Sequence, residues 1–336
     1  MRRPGFGLRP ALAGVIVALL LSACGGSTSP RPAAAPASHA VQPVSLMLDF
    51  TPNAIHVGIY DALGRHLDAR NGIRLHVEVP GQSTDAISEL EAGRVDFAIL
   101  DIHDLALARE KHAPIVGILP IVQEPLAAVI AQPSIHSPRQ LAGRTVGVTG
   151  APSDLAVLDS IVAGSGGSPT AVRKIDIGYS AVADLLSGRV AAATAFWNDE
   201  GVTITRRRPG YHVFRVTQYG APSYPELVVC ATRSSLRAHP ARARALVRTL
   251  TEGYDAAIAH PAAAARVLEH QVSGLDPSLV SAELPGELRA FTGPEHRFGV
   301  FDMALLRRWA RWEARFGIVS RPPDVRAAFD PAFTPR

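Results

Sequence analysis

The chain has 336 residues, 47% of them hydrophobic and 19% charged, which at about 150 residues per domain makes roughly two domains and excludes a disordered chain. Its 28 glycines and 27 prolines follow no three-residue period, so a collagen-like fibre is excluded as well. The formal charge of +4 owes three units to Arg2, Arg3 and Arg9; without them 31 basic residues face 30 acidic ones, too even a balance for a nucleic-acid binder.

Those arginines precede an apolar run of 11 residues, Ala11 to Leu21, which ends in Leu21-Ser22-Ala23-Cys24. A short positive segment, an apolar stretch and a small-residue cleavage site describe an export signal. The stretch is too short to span a membrane, which takes about 20 residues. Leu-Ser-Ala-Cys has the form of a bacterial lipoprotein box, so residues 1–23 are expected to be removed and Cys24 to be lipidated. The only other cysteine is Cys230, so no internal disulfide is expected. Residues 24–43 are mostly small residues and prolines, which bury no core and make a flexible tether.

From Val44 the patterns alternate. Val44 to Leu48 predicts a strand. Ile55, Ile59, Leu63 and Leu67 predict a helix, which Asn71-Gly72 stops. Ile73, Leu75, Val77 and Val79 alternate with polar residues as a strand does. A short helix from about Thr84, a strand from Val95 to Leu100, a helix from Leu105 and a strand from Ile115 follow. The rhythm restarts after Ala131, with strands from Arg144, Val172 and Val190 and helices from Ser153 and Ala181. Glu226 to Ala231 predicts one more strand, and the remainder is nearly all helical. The expectation is an α/β protein of two lobes with mostly parallel sheets. Residues 44–127 and 232–336 form the first lobe, 128–231 the second, and two crossover segments join them near 126–132 and 226–231. A cleft between lobes is a preferred ligand site.

The phosphate-loop, dinucleotide and common zinc signatures are absent. Asp101, His103 and Asp104 follow a strand, but helix capping explains the aspartates, and no metal is expected. His103 suits either a structural role or the cleft lining, and Asp101 is counted with it. Leu305, Trp309, Trp312 and Phe316 make one apolar face of a basic helix, read as core packing. Three polar-aromatic clusters stand at strand ends. Phe50, Asn53 and His56 lie in the first, Trp197, Asn198 and Glu200 in the second, and Tyr219 and Tyr224 in the third. Aromatic rings that stack, with amide and carboxylate groups that read an edge, suit a flat heteroaromatic ligand.

Leu48-Asp49-Phe50-Thr51-Pro52-Asn53-Ala54-Ile55-His56 resembles the opening motif LDW-x-PN-x-x-H of the thiamine pyrimidine synthase-like family, and the likeness extends to about Ala231. The resemblance implies the type II periplasmic-binding-protein fold. It is greatest to the bacterial receptors for thiamine-precursor pyrimidines, and it implies an exported receptor of an ABC importer, not an enzyme. Phe50 stands where the family has Trp, as a stacking face. Asn53 and His56 become polar contacts, Glu200 the acceptor for a ring amino group, and Tyr219 and Tyr224 a cover over the ring. Asp199, where the receptors often have His, departs from the pattern and leaves the ligand open, with riboflavin and alkylsulfonates as rivals. The partners implied are a small heteroaromatic solute, an ABC permease and the membrane reached through the lipid anchor, with a monomeric receptor and no cofactor. The family's pyridoxal-phosphate-dependent synthases are the enzyme alternative. They need a lysine shortly before the histidine matching His103, and here Leu100 and Asp101 occupy that neighbourhood.

Overall fold

The computed structural model describes residues 41–81, 85–150, 152–293 and 296–335. The export signal, Cys24, the tether up to residue 40 and Thr84 lie outside the described residues. The first half of the chain runs β1 (Gln42–Met47), α1 (Val57–Gly64), α2 (Leu67–Arg70), β2 (Ile73–Glu78), α3 (Ala86–Glu91), β3 (Phe97–Asp101), α4 (Ile102–Glu110) and β4 (Ile115–Val122). It continues as β5 (Ala127–Ala131), β6 (Thr145–Val148), α5 (Pro152–Gly164), β7 (Arg173–Asp176), α6 (Ala181–Ser187), β8 (Ala192–Phe196), α7 (Glu200–Arg207) and β9 (His212–Arg215). The last part is β10 (Leu227–Thr232), then α8 (Arg233–Ala238), α9 (Pro240–Ala259), α10 (Pro261–Gln271), α11 (Pro277–Thr292), α12 (Met303–Arg315) and α13 (Val325–Ala328).

The strands make two five-stranded sheets, ordered β2-β1-β3-β10-β4 and β7-β6-β8-β5-β9. Both are mixed rather than mostly parallel. β10 runs antiparallel between β3 and β4, and β5 runs antiparallel between β8 and β9. The difference from the sequence expectation has a simple cause. Each of these strands arrives directly from the other sheet, with no α-helix to turn the chain back. Strand pairing therefore gives β10 to the first sheet, although residues up to 231 were assigned to the second lobe. The chain passes between sheets at residues 123–126 and 216–226.

β2 keeps Ile73 and Leu75 buried and Arg74 and His76 exposed, as its alternation requires. β4 is buried along its whole length, and its proline is tolerated because β4 is an edge strand of the sheet. The expected helix from Ile55 to Leu67 breaks at His66, whose φ is +55°. Helix Glu200–Arg207 and strand His212–Arg215 were not expected from the sequence pattern. The helical tail packs against the first sheet through α9, α10 and α11 on one side, and α12 and α13 on the other. In α12, Trp309 and Trp312 are buried and the arginines at 307, 308, 311 and 315 face outward, so core packing wins. Burying such a side chain contributes about 2–3 kcal/mol. No helix among the described residues is long and apolar enough to cross a membrane.

Candidate ligand-binding cleft

A cavity of about 320 Å³ opens between the two sheets. Leu48 to Phe50 reach it from the end of β1, Leu100 and Asp101 from β3, Thr149 from β6, Tyr179 from beyond β7, and Thr194 to Phe196 from β8. These are carboxyl ends of strands, where open α/β sheets bind ligands. Ala127 and Leu227, the first residues of the two crossing strands, also face it.

Four of the sequence-derived candidates line this cavity: Phe50, Asn53, Asp101 and Glu200. Asn53 caps the turn at Ala54, its Oδ1 accepting from the Ile55 N–H at 2.9 Å. Its Nδ2 donates to Asp199 Oδ2 at 3.4 Å, linking the two lobes across the cleft. Asp101 caps α4 by accepting from the His103 N–H at 2.7 Å. Glu200 Oε2 accepts from the Phe196 N–H at 3.1 Å, which aims the carboxyl from the first turn of α7. Burial, then the charge of Asp199, pushes the Glu200 carboxyl up to about 7. Burial also raises Asp199 and Asp101.

The other six candidates lie elsewhere. His56 is fully buried behind the wall; its Nδ1 accepts from the Asn53 N–H, so Nε2 donates to Asp49 Oδ1 at 3.0 Å. It orients Asp49, which does line the cavity. Trp197 sits at the first crossover, its Nε1 donating to Pro125 O at 3.0 Å while the Arg215 guanidinium lies 3.7 Å over the ring. Asn198 turns away and donates to Glu287 Oε1 at 2.7 Å. Tyr219 packs edge-on against Phe214 near the end of α5. Tyr224 is wholly buried against His103 and Trp312. The shared reason is residue size and position. Tyr219 and Tyr224 lie within the second crossover, and Trp197 packs onto the first through Pro125. The expected cover of Tyr219 and Tyr224 over a ring is therefore not what the geometry brings together.

His103 lies in a buried network behind the cleft floor. Its Nδ1 bonds Glu313 and its Nε2 stands 3.9 Å from Glu226 Oε1. Glu226 in turn accepts from the Leu126 and Ala127 N–H groups and so pins the first crossover. Burial alone would lower the imidazole, but Glu313 and Asp101 outweigh it and hold His103 at about 10, protonated at neutral pH. Asp101, His103 and Glu226 bring ligand atoms within 4.8 Å of one another, a spacing a metal could use. The imidazolium already supplies the positive charge that these carboxylates need.

The sequence reading missed Tyr179 and, among the acids, Asp85 and Asp154. Phe50 and Tyr179 approach to 5.9 Å between ring centroids, one ring from each lobe. Asp49, Asp85, Asp101 and Asp104 line the cavity from the first lobe, and Asp154, Asp199 and Glu200 from the second. No Lys, Arg or His is among the described lining residues. The turn before α5 is engaged within the chain, because Asp154 Oδ2 accepts from the Thr149 N–H at 2.8 Å and from Thr194 Oγ1 at 2.7 Å. Asp85 and Asp154 open helices rather than end strands, so the strand pattern did not mark them.

Pyridoxal phosphate does not fit this lining. Its phosphate would meet carboxylates, and its aldehyde would find no lysine. Lys174 is ion-paired to Asp159 at 2.6 Å and Lys111 ends α4; neither reaches the cavity.

Residues 53–264 match the family model described as NMT1/THI5 like. Over 257 residues the chain is 29% identical to the formylaminopyrimidine-binding protein of Halalkalibacterium halodurans, covering 76% of each chain. It is 24% identical over 348 residues to the riboflavin-binding protein RibY of Chloroflexus aurantiacus, covering 98% of each. Among solved structures, the periplasmic aliphatic sulphonate binding protein SsuA of Escherichia coli superposes with a TM-score of 0.67 at 14% identity, over 86% of this chain and 92% of that one. The two-lobed architecture is the periplasmic-binding-protein fold, and with its family match spanning most of both lobes the chain belongs to the NMT1/THI5-like family.

Proposed function

We propose that this protein is the solute-binding component of an ABC importer and that its ligand is an aminopyrimidine. It works outside the cytoplasmic membrane, tethered by a lipid on Cys24, and hands its solute to a membrane permease as a monomer. Ligand binding draws the two lobes together, shifting an open ensemble toward a closed one. The observation that carries this reading is the lining itself. Phe50 and Tyr179 offer faces for a flat ring, while Glu200 and Asp199 offer acceptors for the ring's amino edge. Phe50, Asn53, Asp101 and Glu200 are the sequence candidates assigned to ligand contact; His56 positions Asp49.

The relatives described above are named for binding solutes, one of them a formylaminopyrimidine. Riboflavin is the second reading, favoured by a match along nearly the whole chain. A flavin edge is mostly acceptors, however, and would oppose carboxylates with carbonyl oxygens. A sulfonate suits the lining least, since no basic side chain meets it there.

The test is to denature freshly purified protein, identify any released small molecule by mass spectrometry, and titrate ligand-free protein calorimetrically with 4-amino-5-hydroxymethyl-2-methylpyrimidine. An aminopyrimidine released or bound, with stabilisation of about 2.7 kcal/mol at a hundred times its dissociation constant, is the expected result. Release of a flavin or a sulfonate, or no stabilisation by any aminopyrimidine, overturns it.

A further inference from the structure

Trp197 follows β8 in the second lobe, yet its ring is buried among side chains of the first. Its Nε1 donates to Pro125 O at 3.0 Å and its backbone N–H to Leu126 O at 3.0 Å, both in the first crossover. The guanidinium of Arg215, the last residue of β9, covers the ring at 3.7 Å. The far edge of the indole meets Gly286 of α11, where an added Cβ would stand 2.8 Å from the ring. Gly286 has no positive φ, so its backbone does not require glycine, and Pro285 precedes it inside the same 16-residue helix. In a helix interior glycine costs about 1 kcal/mol and proline about 3 kcal/mol relative to alanine. Close approach of the Trp197 ring is what the glycine permits. The first crossover passes from one lobe's hold to the other's beside this contact. Gln123 is fixed to the first lobe: its N–H donates to Ala290 O at 2.7 Å, its Nε2 donates to Phe291 O and Arg297 O at 2.6 Å each, and its Oε1 accepts from the Val300 N–H at 3.0 Å. Two residues on, the carbonyls of Pro125 and Leu126 are held by Trp197. The same turn continues to Asn198, which bonds Glu287 of α11, and to Asp199 and Glu200 at the cleft.

We propose that Trp197 is a positioning residue, the pivot on which the second lobe turns: Gly286 is the socket for its ring, and the size of the residue at 286 sets how far the cleft closes. This rests on the solute-receptor reading above and goes beyond it, since Trp197 is not part of the cavity lining. The lobes meet across the cleft at Asn53 and Asp199, 3.4 Å apart, and at Phe50 and Tyr179, 5.9 Å between ring centroids. A side chain at 286 displaces the ring, and the ring does not yield alone because Pro125 and Arg215 hold it. The turn from Trp197 to Glu200 moves instead, parting Asn53 from Asp199 and drawing Glu200 out of its place. Apparent affinity then falls with the fraction of molecules able to close.

A double-mutant cycle on the full chain tests this, with 4-amino-5-hydroxymethyl-2-methylpyrimidine titrated calorimetrically and the ligand-free proteins measured by X-ray solution scattering. Trp197→Phe removes the ring edge that meets Gly286. Gly286→Ala should raise Kd at least about fivefold in the wild-type background, the lower end of what overpacking costs. In the Trp197→Phe background the same substitution should raise it less than about twofold, because the two residues act as a pair. The ligand-free radius of gyration should rise in Gly286→Ala and return in the double variant. An equal factor in both backgrounds, or an unchanged Kd, overturns the pivot and leaves the aminopyrimidine receptor standing. A lower melting temperature with an unchanged radius of gyration marks a merely structural contact and overturns it too. If the wild-type chain does not bind the pyrimidine, the aminopyrimidine reading falls and scattering alone decides the pivot. A rise in Gly286→Ala that Trp197→Phe reverses then supports it, and no rise overturns it. Should Gly286→Ala fail to fold by circular dichroism, Trp197→Phe alone decides: a Kd raised several-fold with the lining intact supports the pivot, and a wild-type Kd overturns it.

Discussion

Glu200 is aimed before any ligand arrives, since the Phe196 N–H holds one oxygen and leaves the other to the cavity. Replacing it by alanine removes the acceptor and leaves ring donors unpaired, so Glu200→Ala should weaken aminopyrimidine binding by about 1–3 kcal/mol in a calorimetric titration. Unchanged affinity would remove Glu200 from the site. Tyr179 differs in kind: it is 75% exposed and its ring contact is with Phe50 across the cleft. Tyr179→Ala should cost binding about 0.5–1.5 kcal/mol while leaving the melting temperature of the ligand-free protein unchanged. A fall in melting temperature instead would make Tyr179 a structural residue. Single residues were unevenly legible in the sequence. The run Asp49 to His56 concentrates a ring, a cap and a histidine in eight positions, and its spacing alone marked it out. Tyr179 stands alone between Gly178 and Ser180, and its partner lies more than a hundred residues away. Trp197 had the same aromatic signal as Phe50 and went to the crossover instead, because no local pattern says which side of a strand end faces the cleft.

Helix α1 follows directly on the Asn53–His56 turn, whose Asn53 and Ile55 line the cavity, and two glycines let it settle against α9. A Cβ on Gly58 would stand 2.3 Å from the Tyr254 ring, and one on Gly253 would stand 2.2 Å from Gly58 O. The close approach lets the Tyr254 hydroxyl donate to Ile55 O at 2.9 Å, directly beside the His56–Asp49 pair. Gly253→Ala must push the helices apart, because backbone cannot give way as a flexible side chain does. The expected loss is about 1–3 kcal/mol by urea denaturation, with weaker ligand binding as the Asn53–His56 turn moves. Stability equal to wild type would mean that the α1–α9 contact relaxes without cost. Elements were read from sequence more fully than residues. Apolar period and glycine stops placed most strands and helices of both halves, with α6 spanning Ala181–Ser187 as expected, but not β5, α7 or β9. Strand direction was not readable. β10 looks like any apolar run, and whether it lies parallel or antiparallel depends on where the chain came from, 216–226, which has no regular periodicity.

The molecule as a whole is charged on the outside in near balance and crowded with acid within. Burial, followed by neighbouring acids, pushes Glu283 up to about 8; burial pushes Glu287 up to about 8 against the Asn198 hydrogen bond; Glu200 sits near 7. Each binds its proton more tightly in the fold than in the unfolded chain, where the carboxyl titrates near 4.5. The stability they contribute is therefore complete below about pH 4.5 and is lost as pH rises through 7 to 8. His103, held near 10, acts in the same direction at higher pH, its share fading from about 6.5 upward. Carboxyls with lowered values, such as Asp85 and Asp184, act oppositely, but only below the ordinary carboxylate range. Between pH 5 and pH 8 the first set dominates, so the melting temperature of the ligand-free protein should fall across that window. Glu287 supplies the sharpest check. It faces Asn198, whose Oδ1 and its own Oε2 lack partners among the described residues, and a proton on Glu287 offers the missing donor. Glu287→Gln keeps the shape and places a permanent donor there. It should raise the melting temperature at pH 8 more than at pH 5 and flatten the slope by one ionisation. A melting temperature that rises from pH 5 to pH 8 in the wild-type chain would show that these glutamates enter the fold already ionised.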